Sequence, residues 1–108
     1  RREVRARGSG VVRFGGGLAV DCTARALYAD GEKIPLPKKE FDILELLCTH
    51  PGQVFDRERI YERVWGWDSA GDSSVVAEHI RRLRGKLAAA GSPGKIETVW
   101  GVGYRWNK

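Results

Sequence analysis

An α+β fold, with antiparallel strands at both ends of the chain and three helices between them, is predicted by three features of this 108-residue sequence. Apolar residues alternate with period 2 in the first third, recur with helical spacing through the middle, and return to an extended run around two glycines near the end. The length suits one domain with one core, able to bury roughly 65% of its unfolded surface without metal or crosslinks.

Each element has a local reason. After Val11 to Phe14, the turn Gly15 to Gly17 leads to Leu18, Val20 and Cys22, which alternate with Ala19 and Asp21 as in a half-buried strand. Ala26 to Ala29 runs into Asp30-Gly31, a tight hairpin turn, and then Glu32 to Leu36. Together these make a four-stranded antiparallel N-terminal sheet. From Lys38 to Thr49, Phe41, Leu44, Leu47 and Cys48 form one helical stripe, while Ile43 and Leu46 point elsewhere, so this helix is sandwiched between layers. It stops at Pro51-Gly52. An extended Gln53 to Phe55 precedes Asp56, which caps a second helix carrying Ile60, Tyr61, Val64 and Trp65. Residues 66–71 form a loop, and Asp72 or Ser73 caps a third helix running to about Ala90. Residues 95–106 close the chain as a hairpin, because Gly101 and Gly103 can take backbone angles that other residues resist.

Nineteen Lys and Arg against fourteen Asp and Glu give a net charge of +5, which favours an anionic partner but does not identify one. The hydrophobic fraction of 42% argues for a folded chain. No apolar run approaches the ~18 residues of a membrane span. Cys22 and Cys48 lack paired-ligand spacing and read as small hydrophobes in a reducing compartment. Residues 1–10, rich in Arg and closed by Gly and Ser, read as an interdomain linker or arm, leaving 11–108 as the folded domain. A start at Arg1 suggests a piece of a longer protein.

Charge placement is more informative than net charge. On a helical wheel, Val76, Ile80, Leu83 and Leu87 share one arc, which is core. Opposite lie Ser74, Val75, Glu78, Arg81, Arg82 and Gly85, with Lys86 at the edge and His79 and Arg84 on the flanks. Such a face is either solvated surface or a surface for a polyanion. A preceding helix, an exposed terminal hairpin with Trp100 and Arg105 at its tip, and the basic balance favour the second and match a winged helix-turn-helix, whose last helix enters a major groove ~12 Å wide. Glu78 then has two readings: an i,i+4 partner that orients Arg82, or a carboxylate accepting from cytosine N4. No catalytic constellation, metal-ligand cluster or phosphate-cradling loop appears, so neither an enzyme nor a cofactor is expected.

Three runs, KKEFDILELLCTHPGQVFDRERIYERVWG, VVAEHIRRLRGKL and IETVWGVGYRW, resemble the OmpR/PhoB-type winged-helix effector domain of bacterial response regulators. The resemblance covers about Val12 to Trp106, and the KKEFDILELL run and the TVWGVGY ending are similar to those of VanR-like members. It implies a cytoplasmic transcription regulator that binds double-stranded DNA, is controlled by a sensor histidine kinase through a separate N-terminal receiver domain, and pairs as a dimer on DNA. It also implies a role for individual residues. Arg82 is expected at base edges, and Arg81, Arg84 and Lys86 on phosphates. Ser74, Val75, Glu78 and His79 are expected at the DNA interface, although for His79 packing beside the core remains an equal reading. Thr98, Trp100 and Arg105 occupy the wing, with Tyr104 as its core anchor. The loop holding Trp67 and Asp68 corresponds to one that can meet RNA polymerase, or it is ordinary solvent loop. The chain departs from the family pattern in three places. Ser74 to Ala77 stands where many members have Arg-Thr-Val-Asp, Trp100 where many have Arg, and Pro37 where a capping Thr is usual, which leaves Glu40 without a capping-box partner. Two other settings remain open for the same scaffold: the DNA-binding part of a larger antibiotic-pathway activator, and a protein-interaction module.

Overall fold

The computed structural model describes residues 10–66 and 70–107, so most of the expected linker lies outside the described residues, as do Trp67 and Asp68. Strands β1 (Val11–Arg13), β2 (Leu18–Asp21), β3 (Ala26–Ala29) and β4 (Glu32–Ile34) form one antiparallel sheet in sequence order. Helices α1 (Lys38–Cys48), α2 (Arg57–Trp65) and α3 (Ser74–Ala89) follow, and β5 (Ile96–Val99) pairs with β6 (Gly103–Trp106). Among the described residues this is the expected winged helix-turn-helix.

The sheet register follows from its two faces. Val20 pairs with Leu27, and Leu27 with Ile34, so this row faces the helices while Ala19, Tyr28 and Lys33 face away. Asp30 and Gly31, at φ of 51° and 83°, supply the two left-handed positions of the β3–β4 turn. Residues Gly15–Gly17 fold as one turn of 3-10 helix, with Gly16 and Gly17 at positive φ.

Helix α1 is buried on more than one side, as its two-faced pattern requires: Phe41, Ile43, Leu44, Leu46, Leu47 and Cys48 are all in the core. Pro37 stands at its N-cap without a side-chain bond. Asp56 caps α2 by accepting from Arg59 N at 2.7 Å. The core is closed from the other end by Trp106, fully buried, whose ring meets that of Phe14 at 5.0 Å. No described helix is long and apolar enough to cross a membrane.

The extended residues before α2 prove to be part of the wing. Phe55 N donates to Tyr104 O at 2.8 Å and Tyr104 N returns the bond at 2.9 Å, while Gly52 N donates to Trp106 O at 2.9 Å. Residues 52–55 therefore lie along the free edge of β6 and tie the hairpin to the start of α2.

The two thiols differ in setting. Cys48 is buried, and burial pushes its thiol up to about 12; half-buried Cys22 is also raised by burial and by nearby Glu45. Since the thiolate is the nucleophile, both should alkylate slowly at pH 8, Cys22 ahead of Cys48. Mass mapping after timed iodoacetamide treatment checks this. Equal rates would show that Cys48 is not shielded in solution.

Candidate nucleic-acid interface

Helix α3 begins where Asp72 turns the chain. Its carboxylate accepts from Ser74 N at 2.9 Å and from the Ser74 hydroxyl, which holds the Asp72 carboxyl below its usual range. Of the two expected caps, Asp72 does the work. Ser73 is buried and its hydroxyl donates to Glu58 on α2, linking the two helices of the helix-turn-helix. An aromatic contact spans the same crossing: the ring of Trp65, stacked on Tyr61 of its own helix at 5.3 Å, meets that of His79 edge-on at 5.1 Å.

One face of α3 is core as expected, with Val76, Ile80, Leu83 and Leu87 all at 1% exposure or less. The outward face carries Ser74, Glu78, Arg81 and Arg82. Arg81 and Arg82 keep 72% and 51% of their side chains exposed, yet neither is loose. Arg81 grips Glu78 with two bonds, Nε to Oε1 at 3.0 Å and Nη2 to Oε2 at 2.7 Å, and Arg82 Nε reaches the same Oε2 at 2.9 Å. Hydrogen bonding from Arg81 and the two positive charges hold the Glu78 carboxyl below its usual range, and the same pair raises Arg81. The i,i+4 contact to Arg82 is thus present, alongside a bidentate i,i+3 contact to Arg81.

Several residues expected at this interface are engaged inside the protein. Val75 is half-buried and packs on the core instead of standing opposite it. His79 bonds Val75 O through Nδ1 at 2.9 Å and lies against Trp65, in keeping with packing beside the core. Arg84 reaches back to the wing, donating to Ile96 O at 3.2 Å and to the Thr98 hydroxyl, with its guanidinium 5.6 Å from the Tyr104 ring centre. Lys86 turns toward α1 and meets Glu40 Oε1 at 2.6 Å, with Glu40 only 1% exposed. The cause is chemical, since a buried carboxylate recruits the nearest cation that can reach it. This pairing also accounts for Glu40, which has no capping role here.

The wing is uncharged at its tip. Trp100 is 88% exposed and Val102 56%, and Gly101 at φ 79° makes the turn between them. Arg105 lies lower on the hairpin, paired with Glu97 at 2.9 Å, and not at the tip. A shallow hollow between the wing and the start of α2 is lined by Arg57, Thr98, Trp100 and Val102 among others. Arg57 is a cation missed in the sequence. Its position directly after the Asp56 cap was the available signal, because a helix start next to a wing gathers positive potential.

Comparison with known proteins agrees with this geometry. The model of the family described as "Transcriptional regulatory protein, C terminal" matches residues 31–106. The uncharacterized transcriptional regulatory protein YclJ of Bacillus subtilis is 46% identical over 92 residues, 84% of this chain and 40% of that protein. The heme response regulator HssR of Staphylococcus aureus is 41% identical over 90 residues, 83% of this chain and 40% of that protein. The chain thus spans about two fifths of the length of these curated relatives. Among solved structures, the Klebsiella pneumoniae RstA DNA-binding domain in complex with the RstA box superimposes with a TM-score of 0.76 at 35% identity, covering 90% of this chain and 96% of that one. The Thermotoga maritima response regulator DrrB, an OmpR/PhoB homolog, gives a TM-score of 0.80 at 36% identity, covering 92% of this chain and 45% of that one. The fold, the family match and these relatives together show that the chain belongs to the OmpR/PhoB-type family of transcriptional regulatory protein C-terminal domains.

Proposed function

We propose that this domain binds double-stranded DNA sequence-specifically as the effector part of a two-component response regulator that controls transcription. One observation carries the reading: α3 is core on one face and presents Arg81 and Arg82, held by Glu78, on the other. A helix with that division of faces fits a major groove, with the wing set toward the adjacent backbone or minor groove. The RstA domain, named as bound to its box, supports the same docking for this chain.

Arg82 and Arg81 are the base and phosphate contacts of this reading, and Ser74, Trp100 and Arg105 flank them. Arg84 and Thr98 brace the wing, while Lys86 and His79 set the seating of α3. In the longer protein, a receiver domain phosphorylated by a sensor histidine kinase would control pairing on DNA, and the loop of residues 66–71 would meet RNA polymerase. The setting is cytoplasmic, no enzymatic step is assigned, and no cofactor is called for.

Fluorescence anisotropy on a duplex recovered from random-sequence selection tests the reading. Log affinity should fall linearly with log salt, with a slope of about −0.9 per neutralised phosphate. Arg82→Ala should cost about 1–3 kcal/mol on that duplex and relax selection at one base pair. Salt-insensitive binding, or equal affinity for random RNA, would rule the reading out.

A further inference from the structure

Arg81 and Arg82 converge on a single carboxylate, and the way its oxygens are used has consequences for readout. A carboxylate offers about four lone-pair directions; at Glu78, Arg81 Nε and Nη2 donate to one oxygen each, and Arg82 Nε lies 2.9 Å from Oε2 as an ion pair. Among the described residues, no hydrogen bond reaches Arg81 Nη1 or either terminal nitrogen of Arg82. The end-on edges of both guanidinium groups therefore remain open, while the inner edges are fastened.

We propose that Glu78 is a positioning residue that sets base specificity, holding Arg81 and Arg82 as a paired fork for the O6 and N7 edges of neighbouring guanines. This rests on the domain being a sequence-specific DNA binder, and it gives Arg81 a share in base reading. Charge supports it. A face built only for phosphate attraction loses affinity by carrying a carboxylate, whereas a face built to aim two flexible side chains gains orientation from it. A single exposed ion pair orients little, because entropy and solvent offset it. Here two arginines share one anchor, Arg81 through two hydrogen bonds and Arg82 through an ion pair, and the anchor stands in the middle of a helix whose opposite face is core. Direct acceptance from cytosine N4 would compete with the Arg81 bonds to both carboxylate oxygens and with the Arg82 ion pair.

The test uses the 108-residue chain and its Glu78→Ala, Glu78→Gln and Arg82→Ala variants, with the double variant of Glu78→Ala and Arg82→Ala. Each is titrated against the selected duplex, against duplexes with single G·C pairs replaced, and against a random duplex. Removing Glu78 should tighten random-duplex binding a few-fold, while the preference for the selected duplex falls roughly tenfold at guanine positions read by the fork. Glu78→Gln, which keeps one acceptor oxygen, should fall between. In the Arg82→Ala background, removing Glu78 should change preference by less than about half as much in logarithmic terms, because half of the fork is already gone. Thermal unfolding should be nearly unmoved, which separates aiming from support of the fold. An unchanged preference ratio, a loss confined to one cytosine, or full additivity of the two substitutions would each overturn the proposal while leaving DNA binding intact. If the unmodified chain selects no duplex at all, the DNA-binding reading falls, and the fork with it.

Discussion

Replacing Lys86 by alanine is expected to destabilise the domain by about 3 kcal/mol, the low end for removing one partner from a buried ion pair. Glu40 is 1% exposed, and Lys86 Nζ at 2.6 Å is its charged partner, so the substitution strands a carboxylate inside the packing between α1 and α3. The cost stays at the low end because Lys86 keeps 35% of its side chain exposed and its charge is partly screened. Urea denaturation and thermal melts would read this, with Tm falling on the order of 15 °C. Glu40→Gln should cost less, and combining it with Lys86→Met should recover much of the loss, since the charge and its burial penalty disappear together. A Lys86→Ala variant within about 0.5 kcal/mol of the parent would mean that the pair behaves as an ordinary surface contact. Because the residue lies on the last turns of α3, some loss of DNA affinity should accompany the loss of stability; an affinity loss without one would mark Lys86 as a phosphate contact instead.

Gly103→Ala should be as damaging for a different reason. A β-carbon there would stand 2.1 Å from Phe55 O and 2.7 Å from Asp56 Cα, both backbone atoms that cannot swing aside. Relief requires β6 to part from residue 55, breaking the paired bonds between Phe55 and Tyr104 and disturbing the cap of α2. The cost should reach about 3 kcal/mol, the upper range for overpacking, with faster amide exchange at Phe55 and Tyr104 and weakened DNA binding. Gly85→Ala is the matched control. It lies within α3 with nothing within 4 Å of the new β-carbon, and it should stabilise by about 0.5–1 kcal/mol. Equal melting temperatures for the two variants would refute the steric argument.

Much of the fold is legible locally because the signals are periodic or chemical over a few residues. Val76, Ile80, Leu83 and Leu87 announce the buried face of α3, Asp30-Gly31 the hairpin, and Asp56 the start of α2. The Glu78 contacts are also readable in principle, since residues three and four apart meet on any helix. What escapes the sequence is pairing across the chain. Glu40 and Lys86 are 46 positions apart, and Arg84 and Thr98 are 14 apart, so nothing in either neighbourhood names the partner. Lys86 does stand at the edge of a basic face on its helix, yet the charge that claims it is a buried carboxylate on another helix. Phe55 illustrates the same limit for the backbone, since its short extended run looks like a linker until β6 is beside it.

The brace that Arg84 forms from α3 to the β5–β6 hairpin, with the Phe55–Tyr104 bridge behind it, has a consequence for what the domain can measure. Two probes joined by a hinge adapt to whatever lies between them. Two probes locked by a strut act as a caliper, whose jaws are set before any duplex arrives. Such a tool responds to the width and curvature of a groove as well as to the letters within it, so stretches of sequence that no side chain touches can still change affinity through the cost of deforming them to the gauge.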